Sequence, residues 1–280
     1  MIVPTRNRPG YLRVTLESLA RQDVGRDRYE VLVVDDGPDA TTRDVTGEVA
    51  RNTGARIGYV ERQGAPGLNS ARNTGVAAAE SDFVVFVDDD VEAPRHWLRE
   101  LIEGRRRHPG YQVFGGPIKL RLEGSRLPMC GREPPPLTSL DAGLRDREIE
   151  LVWGANMAAS RDAFELAGEF DPGVRYGFDE NIWERRLRAA GGRIMYVARA
   201  NLVHRRDRRD ARLGALIRAA YRRGRHLRAF SEHVGQAPSR ARELRDLAGC
   251  VFHTFRYRCG NGILLTAHMA GRLHECLVEH

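Results

Sequence analysis

Phe83-Val84-Val85-Phe86-Val87 runs straight into Asp88-Asp89-Asp90. Five apolar residues without alternation suit a strand buried on both faces, as strands of parallel sheets are. An earlier stretch has the same build: the apolar run Val31 to Val34 ends in Asp35-Asp36-Gly37. In open parallel sheets, ligands bind beyond the carboxyl ends of the strands, and both acidic clusters fall at such ends. Three consecutive carboxylates repel one another unless something positive sits among them. A hard divalent cation, Mg²⁺ or Mn²⁺, is the natural partner, and it also bridges phosphates. The plainer alternative is a solvated acidic turn or a helix cap.

Working outward, strand and helix signals alternate over the first two thirds of the chain. Ile2 and Val3 read as the end of a strand, followed by a turn from Pro4 to Gly10 and a helix with Leu12, Leu16 and Leu19 on one face. A helix from about Thr42 to Arg51, a strand from Ile57 to Val60 and a Gly/Pro/Asn loop from Gly64 to Asn69 come next. Helices are expected from Ser70 to Ala79 and from Pro94, with Trp97, Leu98, Leu101 and Ile102 turned inward. The segment Leu127 to Leu140 carries four prolines and reads as an irregular connection. An apolar stretch from Leu151 to Ala159, a helix from Asp179 to Ala190 and a strand from Arg193 to Val197 complete the series. Such alternation predicts an α/β fold with a mainly parallel sheet between helices. From Arg205 to Arg228 there are ten arginines against two aspartates on a helical pattern. The expected organisation is a catalytic domain over 1–204 and an Arg-rich helical extension over 205–280.

The 280 residues suffice for one large domain with an appendage, and 41% hydrophobic residues exclude general disorder. The net charge of +7 favours an anionic partner. Lys119 is the only lysine, so the positive charge is arginine; it reflects either codon usage in a GC-rich genome or phosphate contacts. Cys130, Cys250, Cys259 and Cys276 lack metal-site spacing, and reduced thiols are expected. No secretory signal and no run of about 18 apolar residues is visible, which leads to an expectation of a cytoplasmic protein.

The ordered set of motifs resembles glycosyltransferase family 2. It comprises Pro4-Thr5-Arg6-Asn7-Arg8-Pro9, Val33-Val34-Asp35-Asp36-Gly37, Gly67-Leu68-Asn69-Ser70-Ala71-Arg72-Asn73-Thr74-Gly75 and Phe86-Val87-Asp88-Asp89-Asp90. Trp153-Gly154-Ala155-Asn156-Met157 and Asp179-Glu180 before Arg186-Leu187 and Gly191 continue it, across roughly residues 1 to 204. The resemblance implies a GT-A, Rossmann-like fold and inverting transfer of a sugar from a nucleoside diphosphate to an acceptor hydroxyl. It implies that Asp36 reads the base, with Pro4, Thr5 and Arg6 in the pocket wall and Arg72 near the nucleotide. A carboxylate only accepts, which suits the N–H of uracil or thymine and so UDP- or dTDP-sugars. Asp88 would lie near the ribose and the metal, and Asp90 and His204 would ligate the Mn²⁺ or Mg²⁺ bound to the diphosphate. Trp153 and Asn156 would lie near sugar and acceptor, Trp153 alternatively packing in the core.

Glu180 is the candidate base and Asp179 its rival, because the family's usual order there is Glu-Asp. Residues 180, 183, 187 and 190 share one helical face, and Trp183 and Leu187 would anchor it inward. Asp179 equally suits an N-cap. The first strand is also shorter than the family's, which leaves open a start further upstream.

Two rival classes fit the sequence less well. A nucleotidylyltransferase would open with a glycine-rich phosphate loop, which Pro4 to Pro9 does not offer. A non-enzymatic anion or nucleic-acid binder would use the arginine-rich tail, but no basic motif interleaved with aromatics supports nucleic acid. The tail helix, about Asp210 to Arg228, either packs its apolar stripe on the catalytic domain or lies on an anionic inner-membrane surface. The second case would suit a lipid-linked acceptor; a small-molecule glycoside is the other acceptor class considered. One or two further helices are expected in Leu247 to Leu277.

Overall fold

The computed structural model describes residues 1–125, 127–128, 130–174 and 178–278. In chain order the elements begin β1 (Ile2–Thr5), α1 (Pro9–Leu19), β2 (Val31–Asp35), α2 (Ala40–Thr53), β3 (Ile57–Glu61), α3 (Leu68–Ala78) and β4 (Phe83–Phe86). They continue with β5 (Val91–Glu92), α4 (Trp97–Arg107), β6 (Val113–Gly115), β7 (Ile118–Leu122), β8 (Arg147–Glu148), β9 (Met157–Ser160), α5 (Arg161–Ala167) and α6 (Asp179–Ala189). Last come β10 (Ile194–Tyr196), β11 (Leu202–Arg206), α7 (Leu213–His233), α8 (Arg240–Tyr257) and α9 (Gly260–Leu277).

Among the described residues the main sheet has eight strands in the order β3-β2-β1-β4-β9-β6-β10-β8. Neighbours from β3 to β4 run parallel, as do β6 and β10; β9 is antiparallel to both β4 and β6, and β8 to β10. The fold is thus the expected α/β arrangement, a mainly parallel sheet between helices. Alternate strand residues feed two cores. Val3, Val33, Val85 and Val87 join Leu12, Leu16, Trp97 and Leu101 on one side. Ile2, Val34, Val84 and Phe86 join Ala71, Ala163, Trp183 and Leu187 on the other. Each such fully buried side chain contributes roughly 1.5–3 kcal/mol, which explains why the strands tolerate no polar residue until their ends. Gly75 of α3 has Ile2 where a Cβ would stand, so the helix lies close on β1.

A second, three-stranded sheet runs β5-β11-β7. It was not expected from sequence, and neither was the late start of α4. Pro94 precedes that helix by three residues, its carbonyl accepting the Trp97 N–H at 3.0 Å.

Two compact units emerge. One comprises Met1–Leu120, Ser139–Arg175 and Asp179–Arg205; the other holds Arg121–Thr138, Phe178 and Arg206–His280. The second unit therefore takes in the proline-rich connection as well as the tail. Within it, α7 packs on α9: Gly224 has the His268 carbonyl, and Gly271 the Tyr221 carbonyl, where a Cβ would stand. Leu216 and Ala220 of the basic helix are wholly buried, while Leu213 at its start is 40% exposed. No helix among the described residues is long and apolar enough to cross a membrane.

Candidate active site

The site is assembled in the first unit, at the carboxyl ends of β1, β2 and β4. Pro4, Thr5, Arg6, Arg8, Asp36 and Leu68 line a recess of about 280 Å³ together with Asp88, Asp89 and Asp90. A larger cavity of about 490 Å³, lined by Met1, Tyr29, Phe83, Tyr111 and Gln112, lies at the opposite end of the sheet, away from the acidic clusters.

At the β2 end the two aspartates divide the labour. Asp35 is wholly buried and builds the turn, accepting the Gly37 N–H at 3.0 Å and the Tyr59 hydroxyl at 3.0 Å. Asp36 faces the recess, held by the Gly67 N–H at 2.7 Å, Arg62 Nε at 2.7 Å and Arg6 at 3.5 Å. Sequence reasoning missed Arg62. Its signal was a basic residue directly after β3, at the same end of the sheet.

At the β4 end, Asp89 accepts from the Thr5 hydroxyl at 2.7 Å and from Arg8 at 2.6 Å. Arg8 reaches Asp90 as well, at 2.8 Å. The two carboxylates outweigh the desolvation of its guanidinium and raise its pKa. Arg8 stands in the first motif, three residues past β1, where its guanidinium faces the triple aspartate directly. Thr15 of α1 locks the turn, its hydroxyl 2.8 Å from the carbonyls of both Asp89 and Val91.

His204 reaches the site through strand register. β5 follows the aspartates and pairs antiparallel with β11, His204 opposite Val91. The Arg205 N–H donates to the Asp90 carbonyl at 2.8 Å. This places His204 Nε2 3.1 Å from Asp90 Oδ1 and 4.0 Å from Asp88 Oδ2. One donor atom from each of the three residues falls within 4.8 Å of the others. Desolvation, and then Asp90, push Asp88 up to about 7. Asp90 Oδ1 is buried and accepts no hydrogen bond from the described residues. Two carboxylates and an imidazole converging in this way fit a divalent cation of the Mn²⁺ type.

The acidic pair at the start of α6 is tied to α3. Arg72 is nearly fully buried, its guanidinium 3.5 Å from Glu180 Oε2 and 3.9 Å from Asp179 Oδ2. Glu180 Oε1 accepts the Gly154 N–H at 3.2 Å, and Arg72 occupies the space a Cβ at residue 154 would need. Asp179 opens α6 with its Oδ1 buried and without a hydrogen bond from the described residues. Desolvation, only partly offset by Arg72, raises it to about 6. Glu184, one turn beyond Glu180, is a third buried acid that sequence reasoning missed; it accepts the Val152 N–H at 2.9 Å. Burial holds its pKa well above the ordinary carboxylate range. Trp183 and Leu187 are wholly buried, as the helical face predicted.

Two residues are placed differently from the expectation of sugar or acceptor contact. Asn156 is wholly buried and its amide is used inside the fold: Oδ1 accepts from Trp97 Nε1 at 2.9 Å, and Nδ2 donates to the carbonyls of Ala200 at 2.8 Å and Pro117 at 3.3 Å. With both amide protons spent, it is a clamp between loops. Trp153 is half-buried against the first core and donates its indole N–H to the Ser139 carbonyl at 3.1 Å. The asparagines of the α3 motif are also structural, Asn69 binding the Asp171 carbonyl and Asn73 the Phe170 backbone.

A mainly parallel sheet flanked by helices, as found here, is the GT-A fold. Its likeness to solved glycosyltransferases is direct. A mannosyltransferase from Pyrobaculum calidifontis, solved with GDP-Man and Mn²⁺, matches with a TM-score of 0.62 at 20% identity, covering 98% of this chain and 68% of that one. Residues 1–349 of TarS from S. aureus with UDP-GlcNAc match with a TM-score of 0.55 at 17% identity, covering 98% and 91%. The model of glycosyl transferase family 2 matches residues 1–167, and the chain belongs to that family. Among curated proteins, the pre-mycofactocin glycosyltransferase of Mycobacterium tuberculosis is 29% identical over 211 residues, 73% of this chain and 42% of its own length. The chain thus spans less than half of that relative.

Proposed function

We propose that the chain transfers a sugar from a nucleoside-diphosphate donor to an acceptor hydroxyl, with inversion at the anomeric carbon. The observation that carries this reading is the Asp88–Asp90–His204 cluster beside the Asp36 recess in one unit. Asp36 accepts from the base, and Arg62 and Gly67 keep its carboxylate aimed at the recess. Asp88, Asp90 and His204 would hold a divalent cation, which when bound stabilises the charge developing on the departing diphosphate. Glu180 takes the proton from the attacking hydroxyl. Arg72 supports that role in two ways. It orients Glu180 from one side while the Gly154 N–H holds the other oxygen, and both Arg72 and Glu180 lie close enough to influence Asp88. Asp179 is the rival base. The donor class is a UDP- or dTDP-sugar, and the acceptor a lipid-linked sugar or a small glycoside. A lipid-linked acceptor would bring the exposed arginines of α7 against an anionic surface on the cytoplasmic side.

The test is calorimetric binding and turnover of a nucleotide-sugar panel with Mn²⁺, Mg²⁺ or EDTA, comparing the native chain with Asp90→Ala. Expected is binding of one donor that needs the cation and is lost in the variant. Equal binding in EDTA and in Asp90→Ala would overturn the metal assignment; no binding of any donor would overturn the donor site.

A further inference from the structure

Outside the donor site, the second unit gathers a different set of ligating side chains. Cys130 comes from the proline-rich connection, His253 from α8 and Cys259 from the start of α9. Cys259 Sγ lies 3.1 Å from Cys130 Sγ, and His253 Nε2 lies 3.3 Å from Cys130 Sγ. The three donor atoms all fall within 4.8 Å of one another. Cysteine spacing along the chain gave no hint of this, because the fold and not a local motif brings the residues together. We propose that Cys130, His253 and Cys259 form a soft-metal site for a zinc-class divalent ion, with a fourth position left to water on the exposed Cys130 side.

The surroundings are built to hold this geometry. Arg258 takes a left-handed conformation (φ 45°) and ends α8, so that Cys259 caps α9. In the first turn of α9, a Cβ on Gly262 would stand 2.5 Å from Thr254 Oγ1 and 3.1 Å from the His253 ring; only glycine lets the two helices close there. On the other side, the Gly260 N–H donates to the Pro128 carbonyl at 2.7 Å and Asn261 Nδ2 to the Glu133 carbonyl at 2.7 Å. Those two bonds fix the connection before and after Cys130. The Cys130 N–H points at Cys259 Sγ at 3.3 Å, and a helix N-terminus favours a thiolate.

The donor chemistry selects the ion. Metal–sulfur bonds of about 2.3 Å and metal–nitrogen bonds of about 2.0 Å in a tetrahedron separate ligand atoms by roughly 3.6–3.8 Å. The observed 3.1 Å and 3.3 Å separations open to that by roughly 0.3–0.7 Å. Two thiolates and a neutral imidazole leave a bound Zn²⁺ uncharged overall, which suits an arginine-rich unit, whereas the oxygen-rich Asp88–Asp90–His204 set suits a harder ion. A disulfide between the two cysteines would use no imidazole. Its formation is the competing outcome.

Cobalt titration of the reduced, metal-free full-length chain reads the site directly, since only a thiolate-bound Co²⁺ gives a sulfur-to-metal charge-transfer band. Expected is one equivalent with that band and tetrahedral visible absorption, displaced by Zn²⁺. The band is retained in Asp90→Ala and lost in Cys130→Ser and in Cys259→Ser. Circular dichroism of the metal-free variants checks folding, and exposed Cys130→Ser carries the test should Cys259→Ser misfold. No band with all four thiols titratable, a band that survives both serine variants, or a Cys130–Cys259 disulfide in protein prepared without oxygen would each overturn the proposal.

Discussion

Glu180 and Asp179 share a helix start but differ in what holds them. Both Glu180 oxygens are engaged, by Gly154 and by Arg72, while Asp179 keeps one oxygen without a hydrogen bond from the described residues. A base fixed from two sides needs no reorganisation when the hydroxyl arrives, so Glu180→Gln is expected to lower kcat by about 10²–10⁴-fold. Donor affinity should stay near the native value and Asp179→Asn should retain most turnover; steady-state kinetics on both variants decide, and the reverse pattern makes Asp179 the base. Glu184 yields a separate prediction. Because burial raises its folded pKa, its unfolded form, with an ordinary value of about 4.3, gives up its proton first as pH rises. The native chain therefore loses stability from about pH 4 upward until the folded pKa is reached. Glu184→Gln keeps an acceptor for Val152 and removes that loss. Its melting temperature should gain on the native chain between pH 4.5 and 7.5, and a native chain favoured at neutral pH would mean an ionised, compensated Glu184. Residues that end buried strands, such as Asp36 and Asp88, were legible from sequence because the apolar run marks their position. Arg62 carried the same strand-end signal, whereas Arg8 and Glu184 did not, since a charged side chain carries no periodic signal of whom it faces.

Strands and helices with a full apolar face were readable; the small elements that place His204 and Asn156 were not. β5 has two residues, too few to express a period, yet its pairing with β11 carries His204 to Asp90. Likewise the Trp153–Met157 stretch resembled a substrate motif, whereas Asn156 there joins α4, through Trp97, to the loops at Pro117 and Ala200. Pro94 shows how a local preference yields to tertiary context: its carbonyl anchors the turn before α4 in place of starting the helix. The clamp reading of Asn156 has a measurable consequence. Asn156→Ala leaves the Trp97 indole N–H and the Ala200 carbonyl buried without partners, at about 1–3 kcal/mol each. Chemical denaturation should register a loss of about 2–5 kcal/mol from these orphaned groups and the small cavity together. Donor affinity of the folded fraction should remain native. A stable variant with weakened donor binding would return Asn156 to the sugar site.

For the whole chain, the division into two compact units was only partly legible. The tail was visible in its arginine content, but Arg121–Thr138 reads as a connection and belongs with the tail helices because of contacts more than a hundred residues apart, such as Cys130 with Cys259. The two proposed cation sites are chemically distinct, oxygen-rich in one unit and sulfur-containing in the other. Ligands that bind only the folded form stabilise it by about 2.7 kcal/mol at a hundredfold excess over Kd. For amides that exchange through local opening, that gain falls on the segments that hold the ligand. Hydrogen exchange should therefore separate the sites within one molecule. A donor sugar with Mn²⁺ is expected to slow exchange around residues 83–92 and 202–206. Zn²⁺ alone should slow it around 127–133 and 250–262. Asp90→Ala should abolish the first response and leave the second, and Cys259→Ser the converse. Protection by Zn²⁺ confined to the first pair of segments would mean that the acidic cluster takes that ion and the cysteine cluster none, because a hard site and a soft site compete for it by ligand type.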